Sequence, residues 1–346
     1  MNIRRLTRVS GATLALALMT GTGAQAATIV LKAASPWPDK HPANVWGPEF
    51  FMKEVTQLTH GQVKFQWYPD GQLGKPETEL QLVRSGGLDL LLAAPPYTPD
   101  KLPLSEVGGL PGLAQTACQI SQAMQTLMSP TGILTKLEYA PLGLHPLFTG
   151  SPPPYEIMST RKPVQDLADL KGLRLKAAGG AEEDAVRALG AVPVQMNSVN
   201  VYEAAQRGVL DGRIGPYASV AALHEQHVFH YGTVGAGVGD FVSTFVINTK
   251  RWDALPKNVQ AAMTKAAHDA MLNSCKHWDS AGQMSINTTL PKKYGWKMYH
   301  LTPAQVARWR TRLEPVQQRW AQGMDHVGKA GTKVLAALKS ALATTK

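Results

Sequence analysis

The sequence predicts a two-lobed α/β fold with a hinged cleft. Three observations point to it. Strand-like and helix-like patterns alternate through two successive cycles. The run "LDLLLAA" (88–94) is continuously apolar, as expected of a strand covered on both faces. The chain also passes a Pro152-Pro153-Pro154 boundary and later returns with a strand-like segment at 241–248, which implies two lobes joined by more than one crossing. With 346 residues, 44% of them hydrophobic and 17% charged, there is material for two domains of the usual ~100–200 residues. That composition excludes a disordered or collagen-like chain.

The first cycle opens with "TIVLKAAS" (28–35), a strand rich in β-branched residues. Pro36, Pro38 and Pro42 make a stiff loop carrying Trp37. Residues 46–60 follow as a helix, with Phe51, Val55 and Leu58 on one face and Gly61 as its stop. "QVKFQWY" (62–68) alternates Val63, Phe65 and Trp67 inward as a strand, and Pro69-Asp70-Gly71 turns the chain. A short helix at 77–85 leads to the apolar strand at 88–94.

The second cycle has strands at 143–148, 172–178 and 192–196, helices at 182–189 and 200–207, and the segment "GRIGPY" (212–217). "FVSTFVIN" (241–248) is a strand, and amphipathic helices at 257–280 and 303–321 close the pattern. The predicted division places 27–151 plus about 241–280 in lobe I, 152–240 plus about 281–310 in lobe II, and 311–346 in a C-terminal helical segment.

Residues 1–26 are expected to lie outside the fold. Arg4, Arg5 and Arg8 precede a short apolar run from Gly11 to Thr20, and Ala24-Gln25-Ala26 has the small-residue form of a cleavage site. The run falls short of the ~20 residues that span a bilayer. This layout predicts export to the periplasm with cleavage after Ala26; Arg4-Arg5 also admits a twin-arginine route. The chain carries net charge +10, and loss of three Arg leaves 32 basic against 25 acidic residues, or +7. The basic residues are scattered or in pairs such as Arg161-Lys162, which argues against a nucleic-acid partner. Cys118 and Cys275 either pair in the oxidising periplasm or stand as separate buried thiols.

Catalytic patterns are missing from the sequence. It holds no phosphate-binding GxxxxGK[ST] loop, no GxSxG elbow and no HExxH. Gly235, Gly237 and Gly239 form GxGxG ahead of a strand, which is a loop rather than a dinucleotide site. His224, His227 and His230 would share one face of a helix, yet no acid or Cys stands at ligand spacing, so a surface row is expected and no metal. Glu182-Glu183-Asp184 is read as helix-dipole and solvation chemistry. Trp37, Tyr97, Tyr155 and Tyr217 stand near strand ends in Pro- and Gly-rich loops, suited to the walls of a ligand cleft.

Several motifs occur in order over the chain after residue 26: "HPANVWGPEFFMKEV", "YPDGQLGKPETELQLVRSGGLDLLLA", "KPVQDLADLKGLRLK", "LGAVPVQM", "VYEAAQRGVLDG" and "FVINTKRWDALP". The run resembles the periplasmic solute-binding proteins of TRAP transporters, the dicarboxylate-binding type. That resemblance implies the periplasmic binding protein fold, with two α/β lobes, a long helix bracing both, and closure around an organic acid. It implies a small organic solute as ligand, integral membrane permease subunits as partners, a monomer, and neither catalysis nor cofactor. A receptor for another importer or for a sensor, its ligand not a dicarboxylate, is the alternative. An enzyme on the same scaffold would need a base and nucleophile pair that the sequence does not offer.

The resemblance also places the ligand residues, and here the chain departs from the family pattern. The family's carboxylate-binding arginine falls at Lys176. The family's "DGxEN" run is Asp211-Gly212-Arg213-Ile214-Gly215, so a Gly takes the place of Asn. The strand end that usually carries a polar group is Ala94-Pro95, and Tyr155 stands where some members have another arginine. Lysine offers a point charge where arginine offers a planar fork. The expected site therefore comprises Trp37, Pro95, Tyr97, Tyr155, Lys176, Arg213, Gly215, Tyr217 and Phe241, with Lys176 as anchor. It suits a monocarboxylate or another weakly acidic molecule better than a C4 dicarboxylate.

Overall fold

A computed structural model describes residues 27–345. The segment read as a secretory signal, 1–26, lies outside the described residues. The first lobe begins β1 (Ile29–Ala34), α1 (Pro42–Val45), α2 (Pro48–Leu58), β2 (Val63–Tyr68), α3 (Pro76–Ser85) and β3 (Leu90–Ala93), then α4 (Ala117–Leu127) and β4 (Leu144–Gly150). The second carries β5 (Glu156–Ser159), β6 (Arg174–Ala177), α5 (Gly180–Ala188), β7 (Val192–Gln195), α6 (Val201–Gln206), β8 (Gly212–Gly215) and β9 (Tyr231–Val234). The chain returns as β10 (Ser243–Asn248), α7 (Thr249–Asp253) and α8 (Lys257–Met284), then adds β11 (Lys297–His300), α9 (Pro303–His326) and α10 (Gly331–Thr344).

Two mixed sheets result. The first has the order β2-β1-β3-β10-β4 and the second β11-β9-β5-β8-β6-β7. β1 pairs parallel to β2 and β3, with helical crossovers between the strands. β10 inserts antiparallel between β3 and β4, so a strand late in the sequence completes the first sheet. All four residues of β3 are buried, in keeping with its continuous apolar run.

Sequence patterning located these elements to within a few residues, with informative exceptions. Leu58 is 37% exposed, because it sits in the last turn of α2 beyond its packed face. β5, β9 and β11 carried no recognisable pattern. Residues 98–142, also without a period, fold into 3-10 turns around α4 and pack Leu102, Leu104, Val107 and Leu110 into the first lobe's core.

Two helices tie the lobes together. α8, 28 residues long, packs on α2, α4 and β4 and reaches the turn Tyr217–Ser219 of the second lobe. α9 works from the other side. Near its start Arg308 pairs with Asp166 at 2.7 Å and Gln305 donates to the Gln165 carbonyl, both in the second lobe. Two turns further on, Gln317 donates to the Pro111 carbonyl of the first. Cys118 and Cys275 are disulfide-bonded, joining α4 to α8 beside Trp278. Among the described residues no helix is long and apolar enough to cross a membrane.

Candidate functional site

The two strands that cross between the lobes are also walls of a cavity. Tyr155 donates its backbone N–H to Gly239 at 2.7 Å, and Val238 donates to the Tyr155 carbonyl at 2.9 Å. The crossings thus pair with each other where Pro152–Pro154 and Gly235–Gly239 leave the sheets. That pairing stacks Tyr155 on Phe241, ring centres 6.4 Å apart. From the first lobe Tyr97 meets Phe241 edge-on at 5.3 Å, and Trp37 meets it at 5.8 Å. Such rings favour offset and edge contacts because their faces are negative and their edges positive.

Trp37 and His41 are held by a rigid loop. Asn44 is fully buried, accepts from Ser35 Oγ at 2.6 Å and donates to the Trp37 and Pro38 carbonyls, both at 2.9 Å. Every polar atom of its amide is used, so the loop between β1 and α1 has one conformation. Tyr97 comes from the 3-10 turn Pro95–Tyr97, where Pro95 shapes the backbone rather than facing the cavity.

Charge enters from the second lobe. Arg213, on β8, is 1% exposed. Its Nη1 donates to Glu225 Oε1 and its Nε to the Ile214 carbonyl. Nη2 has no partner among the described residues. Burial works against the Arg213 charge, and Glu225 offsets that, so its pKa lies above the usual arginine value. Gly215 makes this pose possible: a Cβ there would stand 2.2 Å from Nη2. The residue predicted as a ligand contact thus acts by leaving room for the guanidinium.

Lys176 corrects the expected anchor. It is fully buried beside Glu182, 3.5 Å away, and lies outside the cavity lining. Burial pushes its pKa down, and Glu182 opposes that. Glu182 also accepts from the Ala178 N–H at 2.8 Å, so it points inward, whereas the acid run had suggested solvation. Glu183 does follow that reading, pairing with Arg187. Tyr217 is a second correction. Its hydroxyl donates to the Ile157 and Thr233 carbonyls within the second lobe, and its ring packs on Trp296 instead of the aromatic cavity.

The histidine row does not form. His224 has a left-handed backbone, φ 58°, and starts the 3-10 turn Glu225–His227, so the three rings share no helix face. What matters in that segment is Glu225, fully buried against Arg213, which sequence reading passed over. His41 was missed as well; its only sequence signal was a polar residue just before Pro42 at a helix start.

The cavity enclosed by Trp37, His41, Tyr97, Tyr155, Arg213 and Phe241 measures about 30 Å³. That is room for a water molecule, not an organic acid, so the walls must part to admit a ligand. The lobes touch across it. Tyr97 Oη donates to Ser198 Oγ at 3.1 Å, and Glu106 accepts from Ala181 N–H, at the start of α5, at 3.3 Å. Trp37, Tyr97 and Ser198 also border a wider space of about 770 Å³ at the cleft mouth, between residues 70–77 and 195–200. A groove of about 580 Å³ lies on the hinge side, along α8 and α9. Arg310, Glu314 and the predicted Tyr217 border it in partly open surroundings, without the buried guanidinium and cluster of aromatic rings that equip the cavity.

Comparison with known proteins accords with this geometry. A profile for bacterial extracellular solute-binding protein, family 7, matches residues 34–323. The C4-dicarboxylate-binding periplasmic protein DctP of Rhodobacter capsulatus is 28% identical over 346 residues, covering 98% of each chain. Two solved structures share the fold. One, a TRAP solute-binding protein from a marine metagenome described as specific for aromatic acid ligands, holds 3-hydroxybenzoate; it superposes with TM-score 0.83 at 22% identity, covering 92% of this chain and 99% of that one. The other, from Rhodoferax ferrireducens, holds copurified benzoate; its TM-score is 0.81 at 20% identity, covering 92% and 98%.

Proposed function

Because the chain belongs to the bacterial extracellular solute-binding protein family 7, the solute-binding component of TRAP transporters, we propose that it captures an aromatic monocarboxylate between its lobes. The observation that carries this reading is the union of one unpaired guanidinium edge, on Arg213, with walls of Trp37, Tyr97, Tyr155 and Phe241. A carboxylate accepts from Arg213 Nη2, and the Tyr155 hydroxyl, on the same cavity's walls, has no partner among the described residues. The ring slides between the aromatic side chains. A C4 dicarboxylate would bring a second charge against neutral, apolar walls with nothing to pair it.

The permease and a small solute are its partners in this role, and catalysis is no part of it. Cargo release to the permease follows from the same geometry. Tyr155 and Phe241 ride on the crossing segments, so opening the hinge separates Trp37 and Tyr97 from Arg213 and dismantles the site. We assign lobe I to 27–151 plus about 241–280 and lobe II to 152–240 plus about 281–310, with export, cleavage after Ala26 and a monomeric mature protein. Intact mass and light scattering check the last three.

The test is titration calorimetry against benzoate, hydroxybenzoates, mandelate, succinate and malate, with mass spectrometry of any copurified ligand. Micromolar or tighter binding of an aromatic acid with no succinate response is the expected result. Tight succinate or malate binding would refute it.

A further inference from the structure

One wall of the cavity carries a polar group that neither ring stacking nor charge neutralisation uses. His41 is 5% exposed and lines the cavity from the first lobe. Its Nδ1 accepts the Ala43 N–H at 3.2 Å, capping α1. An accepting Nδ1 carries no proton, so the neutral ring has its proton on Nε2. The ring is kept neutral by burial, with the Arg213 charge adding to the effect, and its pKa falls to about 3. Nε2–H has no partner among the described residues.

The donor is also fixed in place. The His41 ring stacks on Trp37, centres 5.7 Å apart and planes 14° from parallel, and meets the Trp278 edge at 6.2 Å. Asn44 locks the loop beneath, and the His41 N–H donates to the Pro38 carbonyl at 2.8 Å. The hydroxyls of Tyr155, Ser219 and Ser274 on the same walls can rotate to donate or accept. His41 can only donate, and only along one direction.

We propose that His41 Nε2–H reads a hydroxyl or carbonyl oxygen on the ligand ring, so that the site selects ring-oxygenated aromatic acids over unsubstituted ones. This rests on the aromatic-monocarboxylate reading above and deepens it. A neutral donor in an aromatic wall matches a neutral oxygen, while the carboxylate goes to the charged Arg213 edge. An unsubstituted ring would bury Nε2–H without an acceptor. Sites built to hydrogen-bond a substrate group reject analogues lacking it far more strongly than apolar pockets reject added groups.

The experiment measures affinity for benzoate, 3-hydroxybenzoate and 4-hydroxybenzoate in wild type, His41→Phe and His41→Asn. Phe keeps the stack on Trp37 and loses the donor. Asn keeps an acceptor for the Ala43 N–H but is too short to reach the ligand. Wild type is expected to favour at least one hydroxybenzoate by about tenfold or more. Both variants should level that preference to within about threefold, losing hydroxybenzoate affinity and gaining benzoate affinity as the unpaired donor goes, with melting curves reporting an intact fold. An equal loss for all three acids would overturn the proposal, placing His41 on the carboxylate or in packing alone. So would a wild type that binds all three alike, which leaves the aromatic-acid reading standing. A wild type that binds none of them overturns the proposal, and one that binds neither these nor mandelate overturns both.

Discussion

The two lobes bring opposite kinds of chemistry to one cavity. The first supplies Trp37, His41 and Tyr97, neutral groups held by a loop whose hydrogen bonds are complete. The second supplies a buried set of four charges, Lys176 with Glu182 and Arg213 with Glu225, all 2% exposed or less. Buried charges are tolerated only when paired. The pairs leave the second lobe formally balanced, and of the four only Arg213 lines the cavity, with Nη2 unpaired among the described residues. On the function proposed above, affinity for a carboxylate is set on one side of the cleft and selection of the ring on the other. Only the closed protein has both.

Removing the charged pair is expected to have the largest effect on binding. In Arg213→Met with Glu225→Leu the whole pair goes, so neither partner is left buried alone. Aromatic-acid binding should fall by about a hundredfold or more, the usual scale for losing a buried charged contact. The melting temperature should hold or rise. If binding persists in this double variant, the charge does not reside where the geometry puts it.

Gly215→Ala makes the same attack without touching a charge. The new Cβ would stand 2.2 Å from Arg213 Nη2, at the far end of a flexible side chain that can move aside. Folding should survive and aromatic-acid affinity should drop by about tenfold, read by calorimetry. Unchanged affinity would mean that the pose of the guanidinium does not matter.

Lys176→Met sharpens the contrast by acting on stability instead. It strands Glu182 in a buried site, which typically costs about 3–5 kcal/mol. A urea titration should register that loss, and adding Glu182→Leu should recover most of it. Ligand affinity in the stable double variant should stay within about threefold of wild type, because Lys176 does not line the cavity. A tenfold loss there would restore Lys176 as anchor.

The comparison also explains what sequence could and could not reveal. Strands with β-branched or continuous apolar character and helices with a clear period were legible, because each pattern is local. So was the gathering of Trp37, Tyr97 and Tyr155, since loops at strand ends converge at a cleft; Tyr217, read with them, packs on Trp296 instead. The pairing of charges was not. Arg213 and Glu225 are twelve residues apart on a strand and a turn, and nothing in their local pattern says they meet. The placement of Lys176 outside the cavity lining was not legible either, because position within a motif carries over between relatives, whereas its partner Glu182 is decided by the packing of α5. Gly215 gave no hint that its missing side chain was its contribution.

The remaining prediction concerns pH and one of the contacts that hold the two walls together. Glu106 of the first lobe lies against the start of α5 in the second, where Gly180 has no side chain to obstruct it and Ala181 N–H donates to Oε2. Burial pushes the Glu106 pKa up to about 8, with Glu182, Glu138 and Asp184 adding to the rise and the Ala181 N–H opposing it. Opening that exposes the carboxyl to water would return it towards its ordinary value of 4.5. Closing therefore takes up a proton between these two values. Its contribution to closure is greatest below the open-state pKa, declines as pH rises towards 8, and levels off above. Glu106→Gln keeps an oxygen for Ala181 N–H and cannot ionise. Between pH 6 and 8, wild-type affinity for an aromatic acid should fall by up to about tenfold per pH unit, the limit set by one proton. The variant should be flatter over that range and bind more tightly at pH 8. The same slope in both proteins would assign the pH response to another buried acid and leave the Glu106 contact as packing alone.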